Sequence, residues 1–359
     1  MLRARIKRSL PGFELNVELS LERELMAILG PSGSGKTMTL QCIAGLTKPD
    51  EGYIELDGQV LFDSTARVNL PPQKRRVGFV FQNYALFPLM TVAENIAYSI
   101  RCLPKSEIRA KISHLLNIMN ISPLSERYPR QLSAGQQQRA AIARALAPDP
   151  AMLLLDEPFS ALDPQLKERL ELELLALQQG YQGSMLLVTH DLAEGYKLGG
   201  RVAVYHGGSI AQCDTRQRVF STPVNRTVAR LTGVHNFMDG EISRLEPPFG
   251  WVNIPAWNMQ LKAHLPASGL SIGRQVVLGI RPEYIQINPP ARATNMIGAR
   301  VLQAVEGIAS VTYRLLVDGD WRERHLLNSL LPKADEQLLA EKEPCQLHLP
   351  PEHLIVIPE

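Results

Sequence analysis

Long hydrophobic runs are missing from this chain. Nowhere in its 359 residues does a stretch approach the ~20 apolar residues that a membrane-spanning helix needs. The N-terminus carries Arg3, Arg5, Lys7 and Arg8, but Pro11 and polar residues follow. The apolar segment of a secretory signal is therefore not expected. Cysteine is scarce too: Cys42, Cys102, Cys213 and Cys345 are scattered, with no CxxC pair and no His/Cys cluster at metal-ligand spacing. This predicts reduced thiols in a reducing, cytoplasmic compartment rather than disulfides or a structural zinc site. Charge of one sign is lacking as well. The formal net charge is +2 with acids and bases interleaved, so no basic face for nucleic acid is expected. Internal repeats, low-complexity tracts and heptad arrays are likewise not evident.

What is present is enough apolar material for two domains: 45% of residues are hydrophobic, in a chain longer than one ordinary domain. Leu25–Leu29, Met152–Leu155 and Met185–Val188 are continuous apolar runs, the pattern of strands buried on both faces of a parallel sheet. Helix-like stretches at Thr37–Leu46, Lys105–Asn120, Gln136–Ala147 and Pro164–Gln179 alternate with them. The first domain, residues 1–235, is therefore expected to be α/β. Beyond it, short alternating segments at Val276–Ile280, Gly298–Val305, Val311–Val317, Cys345–Leu349 and Leu354–Ile357 are separated by Pro and Gly. Residues 236–359 are expected to form a smaller β-rich, barrel-like domain.

Gly30, Pro31, Ser32, Gly33, Ser34, Gly35, Lys36 and Thr37 match GxxxxGK[ST], with the Leu25–Leu29 strand before and a helix after. Glycines let the backbone curl so that successive N–H groups point at phosphate oxygens, and the helix N-terminus adds partial positive charge. Lys36 is placed to reach the β- and γ-phosphates and the Thr37 hydroxyl to ligate Mg²⁺. The pattern alone arises by accident in about one chain per hundred of this length; its strand–loop–helix context makes chance a poor explanation.

The Met152 run ends in Asp156 and Glu157. At the carboxyl end of a strand, Asp156 is expected beside the phosphate loop, holding Mg²⁺ through water. Glu157, one residue on, points elsewhere and is the expected general base for the attacking water. An ordinary acidic turn is the competing reading of these two residues. The Met185 run likewise delivers Thr189, His190 and Asp191. His190 either orients the water and contacts the γ-phosphate, or merely caps the next helix or is simply exposed; its order behind the acids favours the first.

Between loop and acids lies Leu132-Ser133-Ala134-Gly135-Gln136. Ser133 and Gln136 form a capping box that starts a helix. The segment also resembles the LSGGQ signature of the ABC ATPase family, with Ala134 in place of the first glycine. That resemblance implies that Ser133, Ala134, Gly135 and Gln136 bind ATP held by a second copy of the chain, in a head-to-tail sandwich. Gln82 resembles the family's Q-loop glutamine, which contacts Mg²⁺ and the attacking water. Ser160-Ala161-Leu162-Asp163 resembles the loop that crosses the dimer interface, and His190 the switch histidine. Phe13 is the one aromatic residue upstream of the phosphate loop, either stacking on adenine or serving as core.

The segment Tyr84-Ala85-Leu86-Phe87-Pro88-Leu89-Met90-Thr91-Val92 resembles importer ATPases, in which it receives a coupling helix of the membrane permease; core of a helical subdomain is the alternative. Gly279-Ile280-Arg281-Pro282-Glu283 resembles the regulatory domains of importers for oxyanions, sugars and polyamines. The run from Leu61 to Gly78 is most like molybdate importers, although their Ser-x-Arg-Asn segment appears here as Arg292-Ala293-Thr294-Asn295. The resemblance thus implies an ATPase using ATP and Mg²⁺ at the cytoplasmic face of the membrane. It would power import of an oxyanion, molybdate foremost, through separate permease subunits fed by a substrate-binding protein. Sulfate, another anion, a sugar or a polyamine are the alternative cargoes. A soluble ABC ATPase of DNA repair or translation is the competing class, but it calls for an inserted coiled coil or a second cassette.

Overall fold

Leu25–Leu29, Met152–Asp156 and Ser184–Thr189 are strands in which every residue is buried. In the computed structural model, which describes residues 1–265, 270–289, 293–318, 326–333 and 343–358, they form the centre of a six-stranded sheet. Its order is Ser209–Thr215, Arg201–His206, Leu25–Leu29, Ser184–Thr189, Met152–Asp156, Val77–Val80. All neighbours pair in parallel except the edge hairpin of Arg201–His206 with Ser209–Thr215.

Successive side chains of the central strands serve opposite faces. Met26, Ile28, Leu154, Leu186 and Val188 join one core with Leu2, Ile6, Leu15 and Val17. Leu25, Leu153, Leu155, Met185 and Leu187 join another with Ile96, Leu116, Ala140 and Ala143. That division is why the runs show no alternation, with each buried Leu or Ile contributing about 1.5–3 kcal/mol. The first core is closed by an antiparallel sheet of Phe13–Leu21, Leu2–Leu10, Glu51–Leu56, Gln59–Asp63 and Val68–Asn69. Its buried–exposed alternation, clear in Leu2–Ile6 and Leu15–Leu21, is a sheet with one solvated face.

The expected helices form at Lys36–Ala44, Lys105–Ile118, Ala134–Leu146 and Pro164–Gly180, shifted by up to two residues at their ends. Two residues set the phosphate-loop helix. Gly35 is its N-cap at φ 98, and a Cβ there would meet Leu15 Cδ1 at 2.6 Å. At the other end, fully buried Arg75 donates to the Cys42 and Ile43 carbonyls at 2.8 and 2.9 Å, and to Leu70 O and Asn69 Oδ1. A cation on the last carbonyls satisfies orphan acceptors and opposes the helix dipole.

The chain divides into two compact units, Met1–Arg216 and Gln217–Glu359. This lies earlier than the 235/236 boundary expected from texture. Within the second unit, Arg281 donates to Phe220 O at 2.7 Å and to Thr232 O. Ala229 and Val234 are packed with Val277, Ile355 and Ile357. The segment before residue 236 is thus helical in sequence but belongs to the β unit by packing.

In that unit Asn236–Glu246, Phe249–Ile254, Met259–His264, Ile355–Pro358 and Gln275–Ile280 close into a barrel. A second sheet runs in the order Gln286–Ile287, Pro344–His348, Met296–Glu306, Ser310–Val317, Leu326–Pro332. Both share one core, from Met238 and Trp257 to Tyr313 and Leu347. The expected β-rich domain is therefore present, as a barrel plus a sheet. Among the described residues no helix is long and apolar enough to cross a membrane.

Candidate active site

Parallel register brings the chemistry to one rim. Leu29 pairs with Thr189, and Val188 with Asp156, so the phosphate loop, the two acids and His190 leave the sheet at the same carboxyl edge. Thr37 Oγ1 donates to Asp156 Oδ1 at 2.9 Å. Lys36 Nζ donates to the carbonyls of Gly30 and Pro31 at 2.9 and 3.0 Å, folded over the loop it belongs to. Burial pulls the Lys36 ammonium below its ordinary range, while Glu157 and Asp156 oppose that pull. Burial pushes the Asp156 carboxyl up, and the Thr37 hydrogen bond works against it. A buried carboxylate in such a place favours a cation partner.

Glu157 is the hub. Its Oε2 accepts from Gln82 Nε2 at 3.2 Å and lies 3.2 Å from His190 Nδ1. Its backbone is left-handed, at φ 44, with its N–H donating to Val188 O at 3.0 Å. A non-glycine residue held there costs on the order of 1 kcal/mol or more, and such strain clusters at functional sites. Ser160 Oγ donates to the Glu157 carbonyl at 3.0 Å, fixing the turn. The acidic-turn reading of Asp156 and Glu157 leaves these partners unexplained. His190 is exposed, and the cap of the following helix is Asp191, which accepts from Ala193 and Glu194 N–H. The helix-cap reading of His190 is thereby removed, while its exposure agrees with the plainer reading of a simply exposed residue.

A cleft lined by Phe13, Ser32, Gly33, Ser34, Gly35, Lys36, Thr37, Gln82 and Glu157 opens on this rim. Phe13 is half-buried at its mouth, packed against the Gly35 turn and the core below, so it serves as core and also faces the cleft. Ser34 Oγ is buried with no hydrogen-bond partner among the described residues. The Thr37 hydroxyl and Asp156 carboxylate are hard oxygen donors, and with phosphate oxygens and water they suit Mg²⁺. Bound there, Mg²⁺ would neutralise charge on transferring phosphoryl oxygens. Gln82 lines the same cleft but is hydrogen-bonded to Glu157. Among the described residues there is no cluster of three His, Cys, Asp or Glu able to hold a metal.

The signature residues stand apart. Ser133 caps Ala134–Leu146 in a complete capping box with Gln136, at 3.4 and 3.0 Å. Ser133, Ala134, Gly135 and Gln136 are not among the residues lining the phosphate-loop cleft. Ser133 is exposed, while Gly135 is buried against Leu166.

Sequence reasoning missed three supporting side chains. Arg75 is described above. Arg144 donates to Tyr84 O and Ala85 O at 2.9 and 2.7 Å, holding two left-handed residues of the segment after Gln82. Lys167 joins Asp191 and Glu194. Arg75 lies within the Leu61–Gly78 run, but a lone basic residue in a helix or loop gives no local sign of a distant partner.

Residues 15–160 match the family described as ABC transporter. The chain is 37% identical over 349 residues to the spermidine/putrescine import ATP-binding protein PotA of Pseudomonas fluorescens strain Pf0-1, covering 95% of this chain and 92% of that one. It is 46% identical over 222 residues to the sulfate/thiosulfate import ATP-binding protein CysA of Mycobacterium tuberculosis strain H37Rv, covering 61% of this chain and 62% of that protein. Among solved structures it resembles the dimeric ATP-binding cassette MJ0796 bound to ADP and Pi, with a TM-score of 0.53 and 30% identity over 60% of this chain and 99% of that one. The rim geometry and these likenesses define a class, the nucleotide-binding ATPases of the ABC type. The chain belongs to the ABC transporter ATP-binding protein family, on the side of the importers.

Proposed function

We propose that this chain is the ATP-hydrolysing subunit of an ABC importer that moves a small ion through separate membrane permease subunits. The observation that carries the reading is Glu157 Oε2, shared between Gln82 Nε2 and His190 Nδ1 at 3.2 Å each, on the rim that holds the phosphate loop. In that arrangement Glu157 takes a proton from the attacking water, Gln82 and His190 orient it, and Lys36 meets the phosphates. Ser133 and Gly135 supply the γ-phosphate contacts to the nucleotide of a second copy, so hydrolysis belongs to a head-to-tail dimer. Tyr84–Val92, with Leu89 exposed, receives the permease at the cytoplasmic face, and a substrate-binding protein delivers cargo on the other side.

Two cargo readings differ in what supports them. Molybdate rests on the resemblance of Leu61–Gly78. A polyamine is favoured by the extent of likeness to the spermidine/putrescine protein, which covers 95% of this chain and so takes in the β unit. The likeness to the sulfate protein spans 222 residues. Asn295, the one residue of the oxyanion segment that persists, has its amide engaged by Lys262 N and O and by Leu349 O. It thus serves as a strand clamp; Arg292 lies outside the described residues. The test is uptake of labelled spermidine, sulfate and molybdate in cells whose only copy is the parent or Lys36→Ala. Loss of spermidine uptake alone supports the polyamine reading, and loss of molybdate uptake alone restores the oxyanion. No change in any, with ATPase activity abolished in the purified variant, assigns the motor to another cargo.

A further inference from the structure

Two ion pairs outside the nucleotide cleft tie His190 to the loop Ser160–Asp163, the partner-facing loop by its resemblance to the family's interface-crossing loop. Asp163 caps the helix Pro164–Gly180, accepting from Leu166 N–H, and its carbonyl takes the Lys167 N–H at 2.9 Å. Lys167 is thus in the first turn after the loop Ser160–Asp163. Its ammonium reaches Asp191 Oδ2 at 2.5 Å and Glu194 Oε1 at 2.6 Å. Asp191 directly follows His190, and its carboxylate caps the next helix through Ala193 and Glu194 N–H. Its own N–H is held by Thr189 Oγ1 at 3.0 Å. Glu194 is buried, at 5% side-chain exposure, and Lys167 is the ion-pair partner found for it. Lys167, His190, Asp191, Glu194 and Glu157 line one small cavity together with Ser160 and Leu162.

We propose that Lys167 is a positioning residue that sets the His190 ring against Glu157 by gripping Asp191 and Glu194 from the helix behind the partner-facing loop. The inference rests on the reading of Glu157, Gln82 and His190 given above. Its physical basis is geometric. His190 is exposed and reaches Glu157 across 3.2 Å, so its aim depends on the backbone on either side of it. On one side that backbone is a buried strand; on the other it is Asp191, whose carboxylate position is shared between two N–H groups and one ammonium. Burial pushes the Asp191 carboxyl up, yet Lys167 and the two N–H groups outweigh burial and hold it below the usual range. The carboxylate therefore stays ionised and gripped at neutral pH. A displacement of the Ser160–Asp163 loop by a second copy would move Lys167 with its helix and so re-aim His190.

Removing the ammonium alone would strand the buried Glu194 charge and risk misfolding. The variant to test is therefore Lys167→Met combined with Glu194→Gln, in the full chain, beside Lys167→Arg and Glu157→Gln. The expected result is a kcat for ATP hydrolysis about 10- to 100-fold lower in the double variant, with KM and equilibrium ATP binding unchanged within about twofold. Lys167→Arg should recover most of the parental kcat, because its guanidinium reaches both carboxylates. ATP-dependent dimerisation, measured with Glu157→Gln added to stop turnover, should persist in the double variant. Parental kcat in the double variant overturns the proposal, and so does loss of dimerisation, which would place Lys167 in the interface rather than behind His190. Hydrolysis at the parental rate in Glu157→Gln by itself overturns the underlying site reading instead, which keeps the two failures apart.

Discussion

Thr37 and Asp156, 119 positions apart in sequence, are joined by a 2.9 Å hydrogen bond from hydroxyl to carboxylate. One stands at the start of the phosphate-loop helix and the other at the end of a strand two places away in the sheet. Both are oxygen donors, and the hydrogen bond keeps them where a divalent ion would take both. Thr37→Ala should raise the Mg²⁺ concentration needed for half-maximal nucleotide binding by about tenfold, equivalent to about 1.4 kcal/mol. Titrating Mg²⁺ against a fluorescent ATP analogue checks this without requiring turnover.

Glu157→Gln keeps the shape and the left-handed turn but removes the base. Hydrolysis is expected to fall about 10²- to 10⁴-fold, with ATP still bound and the dimer trapped. Phosphate release and size-exclusion chromatography with ATP read the two halves of this prediction. A dimer that fails to accumulate would show that Glu157 matters for assembly instead.

Ser133 is exposed and its hydroxyl caps a helix, so the cap and the proposed contact to a partner's nucleotide must be separated. Ser133→Ala removes the cap at a cost of about 1 kcal/mol. Ser133→Arg adds bulk and charge as well. Both should bind ATP, measured by equilibrium dialysis, while the Arg variant loses nucleotide-dependent dimerisation to a much greater degree than the Ala variant. Parental dimerisation in the Arg variant would leave the signature as a helix start and nothing more.

Arg75 tests the support of the loop helix. Replacing it with Met leaves the buried Ile43 carbonyl and the part-buried Leu70 carbonyl without the Arg75 donor, and the Cys42 carbonyl with the Gly45 N–H alone. The first unit should lose about 3 kcal/mol or more of stability, seen as a lower urea midpoint. ATP affinity should weaken with it, since the helix carrying Lys36 and Thr37 loses its anchored end. Gly45→Ala at the same corner meets Arg75 Nε at 2.4 Å from the new Cβ, at φ 78, and should be similarly harmful.

The sequence by itself determined which residues stand as candidates for the working groups. A phosphate loop is a local object, because its glycines, Lys36 and Thr37 act through their own backbone turn and the helix they begin. The same holds for strands that end in Asp156–Glu157 and Thr189–His190, whose apolar runs announce burial on both faces. The capping box at Ser133 is local as well, as are the short alternating strands of the second unit.

Tertiary structure alone decided who meets whom. That Glu157 accepts from Gln82 and faces His190 depends on parallel pairing of strands far apart in the chain. That the segment 217–235 packs with the second unit, where Arg281 grips the carbonyls of Phe220 and Thr232, is a long-range relation with no local signature. Arg75, Arg144 and Lys167 escaped sequence reading for the same reason. Composition and spacing report what a residue can do within its own turn or strand. A hydrogen bond across 24 to 60 positions exists only once the sheet has set the register, and that register is what aims these side chains.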